Sequence, residues 1–270
     1  MSPRQVQAWA GWSAAQLRSR WGRDEVHVYG KVDSTNAVAS QLADAGAPEG
    51  TLVVAREQAR GRGRLERTWH SPPDKGVYLS LVLRPEGRPA SSVLSILAGL
   101  GIVQELDERF PALDPALKWP NDLMAGNRKL GGILGEAIWA EAGPRYVVLG
   151  VGVNVKPMGR ALPRELERAV SCVEEFQPGV ELVQVADAVV RGLESRLRPA
   201  PDSLDPSALS LLDRYDWLRD RRVRVRSGAD EDGISGRAVG IAPDGALLFR
   251  PDRGALRRVV SAVVTPEEDA

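Results

Sequence analysis

Glycine and arginine alternate in one segment of the chain, which runs from Gln58 to Arg64 and continues to Trp69. Glycines let backbone amides turn toward an anion, arginines offer paired donors to phosphate or carboxylate, and Trp69 offers a face for stacking. The segment is therefore suited to bind an anionic ligand. A solvated basic loop, or a loop that binds RNA, explains these residues equally well when they are taken alone.

A second group of polar residues follows a predicted strand at Lys118, Asn121 and Asp122, and Lys129 and Glu136 come seven and fourteen residues after Asp122. Lysines neutralise phosphate oxygens, and carboxylate and amide oxygens are ligands that Mg²⁺ prefers. Together these residues could hold ATP and its metal ion. A Pro-Asn-Asp turn followed by an exposed Arg128-Lys129 pair explains the same pattern without any chemistry.

Two glycines interrupt an otherwise apolar segment at Gly150 and Gly152, just before Asn154. Glycine weakens a strand unless another group must approach it closely, so the pair indicates a close approach to this strand. A pure packing role is the alternative. The segment does not fit a Rossmann fingerprint, because no third glycine opens a helix after it.

Composition excludes several classes of function. The chain of 270 residues has one cysteine and two histidines, so an intramolecular disulfide and a thiol-rich metal site are excluded. Lys plus Arg equals Asp plus Glu at 36 each, which argues against a nucleic-acid partner. No stretch resembles a membrane span of about 20 apolar residues, and the N-terminus lacks a secretory signal. We therefore expect a cytoplasmic protein without a membrane partner.

Apolar periodicity and turn residues predict the elements that must position these groups. We expect helices at 5–20, 34–45, 91–110, 180–197 and 206–217, and strands at 26–29, 51–55, 77–83, 116–119, 129–140 and 145–155. Residues 56–76 form a loop longer than most connections, which favours a function for it. Four or five short strands after Trp217 predict a small β-barrel. The expected domains are 1–217 and 218–270.

Five segments, taken in order, resemble those of the bacterial biotin protein ligases: Asp33-Ser34-Thr35-Asn36, Gln58 to Pro72, Lys118 to Leu123, Lys129 to Leu134, and Gly150 to Asn154. The resemblance spans nearly the whole chain. It implies an α+β fold with a mixed β-sheet flanked by helices, as in class II aminoacyl-tRNA synthetases and lipoate ligases, and a C-terminal SH3-like barrel. Many bacterial members begin with a DNA-binding domain. About 30 residues precede Asp33, so we expect a ligase without one.

The resemblance also implies an activity, in which biotin and ATP form biotinyl-5'-AMP and biotin is then transferred to a lysine of a biotin carboxyl carrier protein. Lys129 and Arg64 would be catalytic, and Asp122 would bind Mg²⁺. Biotin would contact Ser34, Thr35, Asn36, Gln58, Arg62, Gly63, Arg64, Lys129 and Gly132. The nucleotide would contact Arg64, Arg67, Trp69, Lys118, Asn121, Asp122 and Asn154. A homodimer is left open.

Two other functions compete with this interpretation. A lipoate ligase runs the same two steps on another acid, but the Gly-Arg-Gly-Arg loop favours biotin. A nucleic-acid-binding protein could use that loop together with the basic segment 219–226. The balanced net charge argues against it, as do Asp213, Asp216 and Asp220 beside that segment.

Overall fold

The structure, a computed structural model, describes residues 5–85, 91–140, 143–198, 201–227 and 232–267. Their strands are β1 (Ala8–Trp9), β2 (Trp12–Ser13), β3 (Val26–Val32), β4 (Leu52–Gln58), β5 (Gly76–Leu83), β6 (Pro115–Lys118), β7 (Asp122–Ala125), β8 (Arg128–Ala140), β9 (Gly143–Asn154), β10 (Arg222–Arg226), β11 (Ile234–Ile241), β12 (Leu247–Pro251), β13 (Arg257–Val259) and β14 (Val263–Pro266). Their helices are α1 (Ala14–Trp21), α2 (Thr35–Asp44), α3 (Ser91–Arg109), α4 (Arg164–Glu167), α5 (Leu182–Leu197) and α6 (Pro206–Tyr215).

The main sheet has seven strands in the order β3-β4-β5-β9-β8-β7-β6. β3 and β4 are parallel and are joined through α2, because a parallel pair needs a crossover connection. The other neighbouring strands of this sheet are antiparallel. The predicted mixed sheet flanked by helices is therefore confirmed.

Helices cover both faces of this sheet, as β4 illustrates. Leu52 and Val54 pack in the cluster that includes α3 and α5, whereas Val53 and Ala55 pack in the cluster that includes α2. All four side chains are fully buried. A strand that is buried on both faces reads as a continuous apolar run, which is how this segment appears in the sequence.

The C-terminal strands form a second sheet, with the antiparallel order β13-β12-β11-β10-β14. The predicted SH3-like domain is confirmed as this antiparallel sheet, and no closed barrel is found within the described residues, where the edge strands β13 and β14 do not pair with each other. β13 is three residues long and largely exposed, which leaves little backbone to close the sheet. The open sheet is nevertheless consistent with an SH3-like domain.

Two tryptophans connect this second sheet to the main one. Trp119 Nε1 donates to Gly245 O at 2.8 Å, and Trp217 Nε1 donates to Gly126 O at 2.7 Å. The start of the connection from α6 to β10 is buried as far as Leu218, whereas residues 219–221 are exposed. The boundary between 1–217 and 218–270 stays a prediction.

The first predicted helix is wrong over its first half. Residues 8–13 form a hairpin of β1 and β2, in which Ala10 and Gly11 have φ values of 49° and 82°. The helix begins only after Ser13, whose hydroxyl accepts from the backbone N–H of Gln16 in a capping box. The hairpin is held in place from a distance, since Trp9 is fully buried and its Nε1 donates to Ala55 O at 3.2 Å.

The remaining predictions differ from the structure mainly at element ends. The helices expected at 34–45, 91–110, 180–197 and 206–217 correspond to α2, α3, α5 and α6. β7 and α4 were not predicted, and the long loop contains a short 3-10 turn at Arg64–Glu66. Within the described ranges, no helix is long and apolar enough to cross a membrane.

Candidate active site

A cavity of about 330 Å³ is formed by the start of α2, by the loop of residues 59–75 (the Gly-Arg loop) and by strands β6 to β9. All fifteen residues that the sequence predicts for the site line it: Ser34, Thr35, Asn36, Gln58, Arg62, Gly63, Arg64, Arg67, Trp69, Lys118, Asn121, Asp122, Lys129, Gly132 and Asn154. Their individual roles stay predictions. Their assembly in one place means that they can act on the same ligands.

The beginning of α2 forms one end of the cavity and is almost entirely buried. Ser34, Thr35 and Asn36 are at most 5% exposed. Thr35 N–H donates to Gln58 Oε1 at 2.8 Å, and Gln58 Nε2 donates to Ser71 Oγ at 2.8 Å. Ser34 is the N-cap residue, yet its hydroxyl makes no capping hydrogen bond. This end of the cavity therefore offers oriented polar groups of both kinds, donors and acceptors, to a neutral polar ligand.

Asn36 connects the start of α2 to the Gly-Arg loop through Glu136. Asn36 Nδ2 donates to Glu136 Oε2 at 2.6 Å, while its Oδ1 lies 2.6 Å from the hydroxyl of Ser80. Arg62 Nη1 and Nη2 each lie 3.1 Å from a Glu136 carboxylate oxygen. Gly150 makes room for Asn36, because a Cβ there would lie 2.2 Å from Asn36 Oδ1. The close approach predicted for this glycine is confirmed.

Lys129 and Asp122 face each other across the β7–β8 pair. Lys129 Nζ donates to Asp122 Oδ1 at 2.6 Å, and it also lies 5.5 Å from the centre of the Trp69 ring. Trp69 packs against Gly152, where a Cβ would lie 2.5 Å from the indole Nε1. That buried Nε1 has no hydrogen-bond partner among the described residues. The lysine thus carries a fixed positive charge beside an aromatic face.

Two further cations lie in lower-dielectric surroundings. Burial lowers the pKa of the Lys118 ammonium, which lies 5.4 Å from the centre of the Trp217 ring. Burial also lowers the pKa of Arg64, whose guanidinium lies 3.4 Å from Asn121 Oδ1 and 3.5 Å from Ser261 Oγ. Nearby carboxylates balance the positive charge of Lys118 and Arg64 only in part, so an anionic ligand would be attracted to these two groups.

Asn154 closes the cavity at the end of β9 and is 3% exposed. Its Nδ2 donates to Ser171 O at 3.0 Å, whereas its Oδ1 has no hydrogen-bond partner among the described residues. A buried acceptor without a partner is costly unless a ligand or water supplies a donor. Asn154 therefore has a hydrogen-bonding capacity that the protein itself leaves unused.

Sequence reasoning missed several parts of the site. Apolar side chains from the segment after β9 and from β14 also line the cavity, namely Met158, Leu162, Leu166, Val170, Ala262, Val263 and Val264. Glu136, one of the two carboxylates expected to help hold ATP and its metal ion, lies outside the cavity lining and binds Asn36 and Arg62 instead. Apolar residues carry no signal of ligand contact in a sequence, because packing in the core explains them equally well.

A metal ion would find limited protein ligands in this cavity. The described residues contain no cluster of three acidic, histidine or cysteine side chains that could hold one. Asp122 supplies a carboxylate to the lining, and Lys129 is already bound to it. Such a site suits Mg²⁺ that arrives with a nucleotide, because this ion takes one or two carboxylates together with substrate phosphates.

The arrangement suits a reaction between two anions, a carboxylate and a nucleotide phosphate. Cationic groups from the Gly-Arg loop, β6 and β8 meet in the cavity and reduce the repulsion between such substrates. Beside them the start of α2 offers neutral polar groups for the rest of the acid. On a mixed sheet with a small C-terminal sheet, this site defines a ligase that activates a carboxylic acid.

Comparison with known proteins identifies the family. Residues 29–154 match the family model of the biotin/lipoate A/B protein ligases, and residues 220–264 match that of the biotin protein ligase C-terminal domain. The chain is 41% identical over 238 residues to the biotin--[acetyl-CoA-carboxylase] ligase of Paracoccus denitrificans, which covers 86% of this chain and 96% of the relative. The chain belongs to the biotin protein ligase family, so the predicted family and ligase activity are confirmed.

A second relative agrees with this assignment, and a solved structure agrees with the fold. The chain is 33% identical over 234 residues to the bifunctional ligase/repressor BirA of Bacillus subtilis, a match that covers 86% of this chain and 70% of the relative. The solved biotin protein ligase of Aquifex aeolicus in complex with biotin and ATP superposes with a TM-score of 0.74 at 24% identity. That superposition covers 91% of this chain and 100% of the other, and it supports the fold.

Proposed function

We propose that the enzyme forms biotinyl-5'-AMP from biotin and ATP in this cavity and then transfers biotin to a lysine of a biotin carboxyl carrier protein. The observation that carries the proposal is the assembly of all fifteen predicted site residues around one cavity of about 330 Å³. Biotin has a neutral ureido ring at one end and a carboxylate at the other. The cavity has the same polarity, with polar groups of α2 and Arg62, whose charge Glu136 balances, at one end and the cation Lys129 at the other.

The ureido ring fits the end formed by α2. Its carbonyl is an acceptor and its two N–H groups are donors, so it needs partners of both kinds. Ser34 and Arg62 supply donors, and Gln58 and Thr35 supply oxygen acceptors within the same wall. This end would recognise the ring by paired hydrogen bonds, which is the feature that distinguishes biotin from the dithiolane ring of lipoate.

Activation then takes place beside Lys129. A biotin carboxylate oxygen attacks the α-phosphorus of ATP, the bond from that phosphorus to the bridging oxygen breaks, and pyrophosphate leaves with the electron pair. Lys129 is placed to stabilise the charge that develops on the α-phosphate, and Lys118 and Arg64 to hold the remaining phosphates. The ion pair with Asp122 keeps the lysine in position beforehand. In the second step the acceptor lysine, as a neutral amine, attacks the carbonyl carbon and AMP leaves.

The adenine base fits the part of the cavity that the sequence did not reveal. Met158, Leu162 and Leu166 supply an apolar wall, and Asn154 Oδ1 is an acceptor without a partner among the described residues. The exocyclic amino group of adenine is a donor, whereas guanine carries an oxygen at that position. The enzyme should therefore prefer ATP to GTP. Mg²⁺ would be held by Asp122 together with the triphosphate, and when bound it neutralises phosphate charge.

Biotin-dependent release of pyrophosphate from ATP tests the first step, with lipoate as the competing acid. We expect release with biotin and ATP, and none with lipoate. Thermal unfolding should shift upward with biotin and further with ATP, but not with an oligonucleotide. A shift with the oligonucleotide alone would favour the competing nucleic-acid function. Covalent labelling of an isolated carrier domain tests the second step.

The proposal extends to the cellular location and the oligomeric state of the enzyme. We infer a cytoplasmic location from the composition, and a homodimer is compatible with the cavity, which one chain completes within the described residues. Light scattering with and without biotin and ATP would establish the oligomeric state. A monomer under both conditions would exclude the homodimer.

A further inference from the structure

Glu136 lies behind the cavity wall and binds two side chains that line it. Asn36 and Arg62 line the cavity, while Glu136 is absent from the lining. Its Oε2 accepts from Asn36 Nδ2 at 2.6 Å, and the carboxylate faces both terminal nitrogens of Arg62 at 3.1 Å. Residues 36, 62 and 136 belong to α2, the Gly-Arg loop and β8, so one carboxylate joins three separate elements.

The other hydrogen-bonding groups of the Asn36 side chain have partners as well. Its Nδ2 also lies 3.3 Å from Leu134 O, and Ser80 Oγ lies 2.6 Å from its Oδ1 and 2.8 Å from Thr35 Oγ1. A continuous hydrogen-bonded chain therefore runs from Thr35 to Arg62. Thr35 and Asn36 belong to α2, Ser80 and Glu136 belong to strands β5 and β8, and Arg62 is the member of this chain of hydrogen bonds that lies on the Gly-Arg loop.

The side chain of Arg62 is 49% exposed, and Glu136 is its one side-chain partner among the described residues. The backbone on either side is held within the loop, since Gly63 N–H donates to Arg67 O at 2.7 Å and Trp69 N–H donates to Gly61 O at 2.9 Å. The position of the guanidinium therefore depends on its contact with Glu136. A bidentate arginine–carboxylate pair restrains both the place and the plane of a guanidinium. Pairing with Glu136 through the terminal nitrogens leaves Nε and the outer N–H bonds directed away from the carboxylate.

We propose that Glu136 is a positioning residue. It holds Arg62 of the Gly-Arg loop at the end of the cavity formed by α2, and it couples that loop to α2 through Asn36. The proposal rests on the proposed function, since it assigns Arg62 a ligand at that end. Glu136 itself does not touch the ligand. It acts by reducing the number of positions that Arg62 adopts before the acid binds.

The substitution Glu136→Gln distinguishes the contact of Glu136 with Asn36 from its contact with Arg62. An amide oxygen can still accept from Asn36 Nδ2, but an amide cannot bind a guanidinium through two oxygens. We expect KM for biotin in pyrophosphate release to rise about tenfold, a size typical when a supporting hydrogen-bonded group is removed. KM for ATP should stay within about twofold, and kcat should change less than KM for biotin.

A double-mutant cycle with Arg62→Gln makes the test specific. If Glu136 acts through Arg62, the substitution Glu136→Gln should raise KM for biotin by less than about twofold once Arg62 is already glutamine. Equal effects of Glu136→Gln in both backgrounds would overturn the proposal. An unchanged KM for biotin in the single variant would overturn it as well.

Glu105→Gln is the matched control. Glu105 pairs with Arg109 at 3.2 Å on α3 and has a side-chain exposure of 22%, close to the 29% of Glu136. Hydrogen exchange adds a readout that needs no activity: residues 59–69 should exchange faster in Glu136→Gln than in wild type or in Glu105→Gln. If wild type released no pyrophosphate with biotin, the proposed function would fail. The comparison of hydrogen exchange would still test whether Glu136 restrains the Gly-Arg loop. Unchanged exchange would overturn the positioning role.

Discussion

Lys129 Nζ lies 2.6 Å from Asp122 Oδ1, a contact that fixes the ammonium group between β7 and β8. The backbone of Lys129 is held as well, since its N–H donates to Ala169 O at 2.9 Å and its carbonyl accepts from Ser171 N–H at 2.9 Å. The charge is therefore in place before any substrate arrives. Preorganised charge is most effective where negative charge develops in a transition state.

Lys129→Ala should slow adenylate formation by about 10² to 10³ while leaving folding largely intact, because removal of one donor to a developing oxyanion costs about this much. Biotin-dependent pyrophosphate release, with thermal unfolding alongside, measures both effects. Lys31→Ala is the control, since Lys31 pairs with Glu57 and its side chain is 61% exposed. A Lys129 variant within about threefold of wild type would exclude the proposed role.

Arg64→Gly should let the enzyme release its own intermediate. Arg64 is a half-buried guanidinium in the cavity lining, and a charge-assisted contact to phosphate contributes about 1.5 to 3 kcal/mol. Its loss should speed dissociation of biotinyl-5'-AMP by about ten- to a hundredfold and weaken biotin binding. The released anhydride reacts with exposed lysines, so a bystander protein mixed with the variant, biotin and ATP should become biotinylated.

Arg60→Gly is the matched control for that experiment. Arg60 lies on the same Gly-Arg loop, but its side chain is 77% exposed, pairs with Asp33 at 2.5 Å and does not line the cavity. It should label the bystander no more than wild type does. An Arg64→Gly enzyme that forms the adenylate and still labels only the carrier lysine would contradict the retention role of Arg64.

Gly150→Ala should weaken biotin binding more than the small size of the added methyl group suggests. The added Cβ would lie 2.2 Å from Asn36 Oδ1, so Asn36 must move and its bonds to Ser80 and Glu136 must change. We expect at least a tenfold rise in the Kd of biotin by calorimetry, the loss expected when an oriented polar group is displaced. Gly30→Ala is the steric control, because Gly30 lies on β3 outside the cavity lining and its added Cβ would lie 3.0 Å from Val6 Cγ1, so Asn36 would not be displaced. Equal rises for both variants would refute this explanation.

Asp216→Asn should stabilise the protein at alkaline pH and not at acid pH. Burial raises the pKa of the Asp216 carboxyl from 3.8 to about 6, and its Oδ2 has no partner among the described residues. Below pH 3.8 the carboxyl is neutral in both states and costs nothing, whereas above about pH 6 the folded state buries a charge that unfolding exposes to water. The shift corresponds to at most about 3 kcal/mol. Urea unfolding at pH 4.5 and pH 8 measures it; a gain independent of pH would contradict the prediction.

Cys172 should resist alkylation in the folded enzyme. The thiol is buried, and burial raises its pKa to about 11, so thiolate is scarce at pH 8. Iodoacetamide should label the chain only after denaturation in urea, which serves as the positive control. Rapid labelling of the folded protein, followed by mass spectrometry, would show that this region opens more readily than its packing indicates.

Local patterns in the sequence determined most of the regular elements. Period and capping residues identify α2, α3, α5 and α6, and the continuous apolar run at 52–55 identifies a strand covered on both faces. The side chains of the site were also identifiable, because arginine beside glycine and lysine beside a Pro-Asn-Asp turn are chemically distinctive. Resemblance in five ordered segments supplied the family.

Tertiary structure alone decided the rest. Residues 5–20 have apolar spacing that suits a helix, yet a hairpin forms because Trp9 is buried against β4. The apolar wall at 158–170 and the bond between Glu136 and Arg62, 74 residues apart, leave no local trace. Within the described residues the second sheet stays open, since its edge strands β13 and β14 do not pair with each other. Periodicity reports which face of an element is buried, but the partner on that face is decided by packing between distant segments.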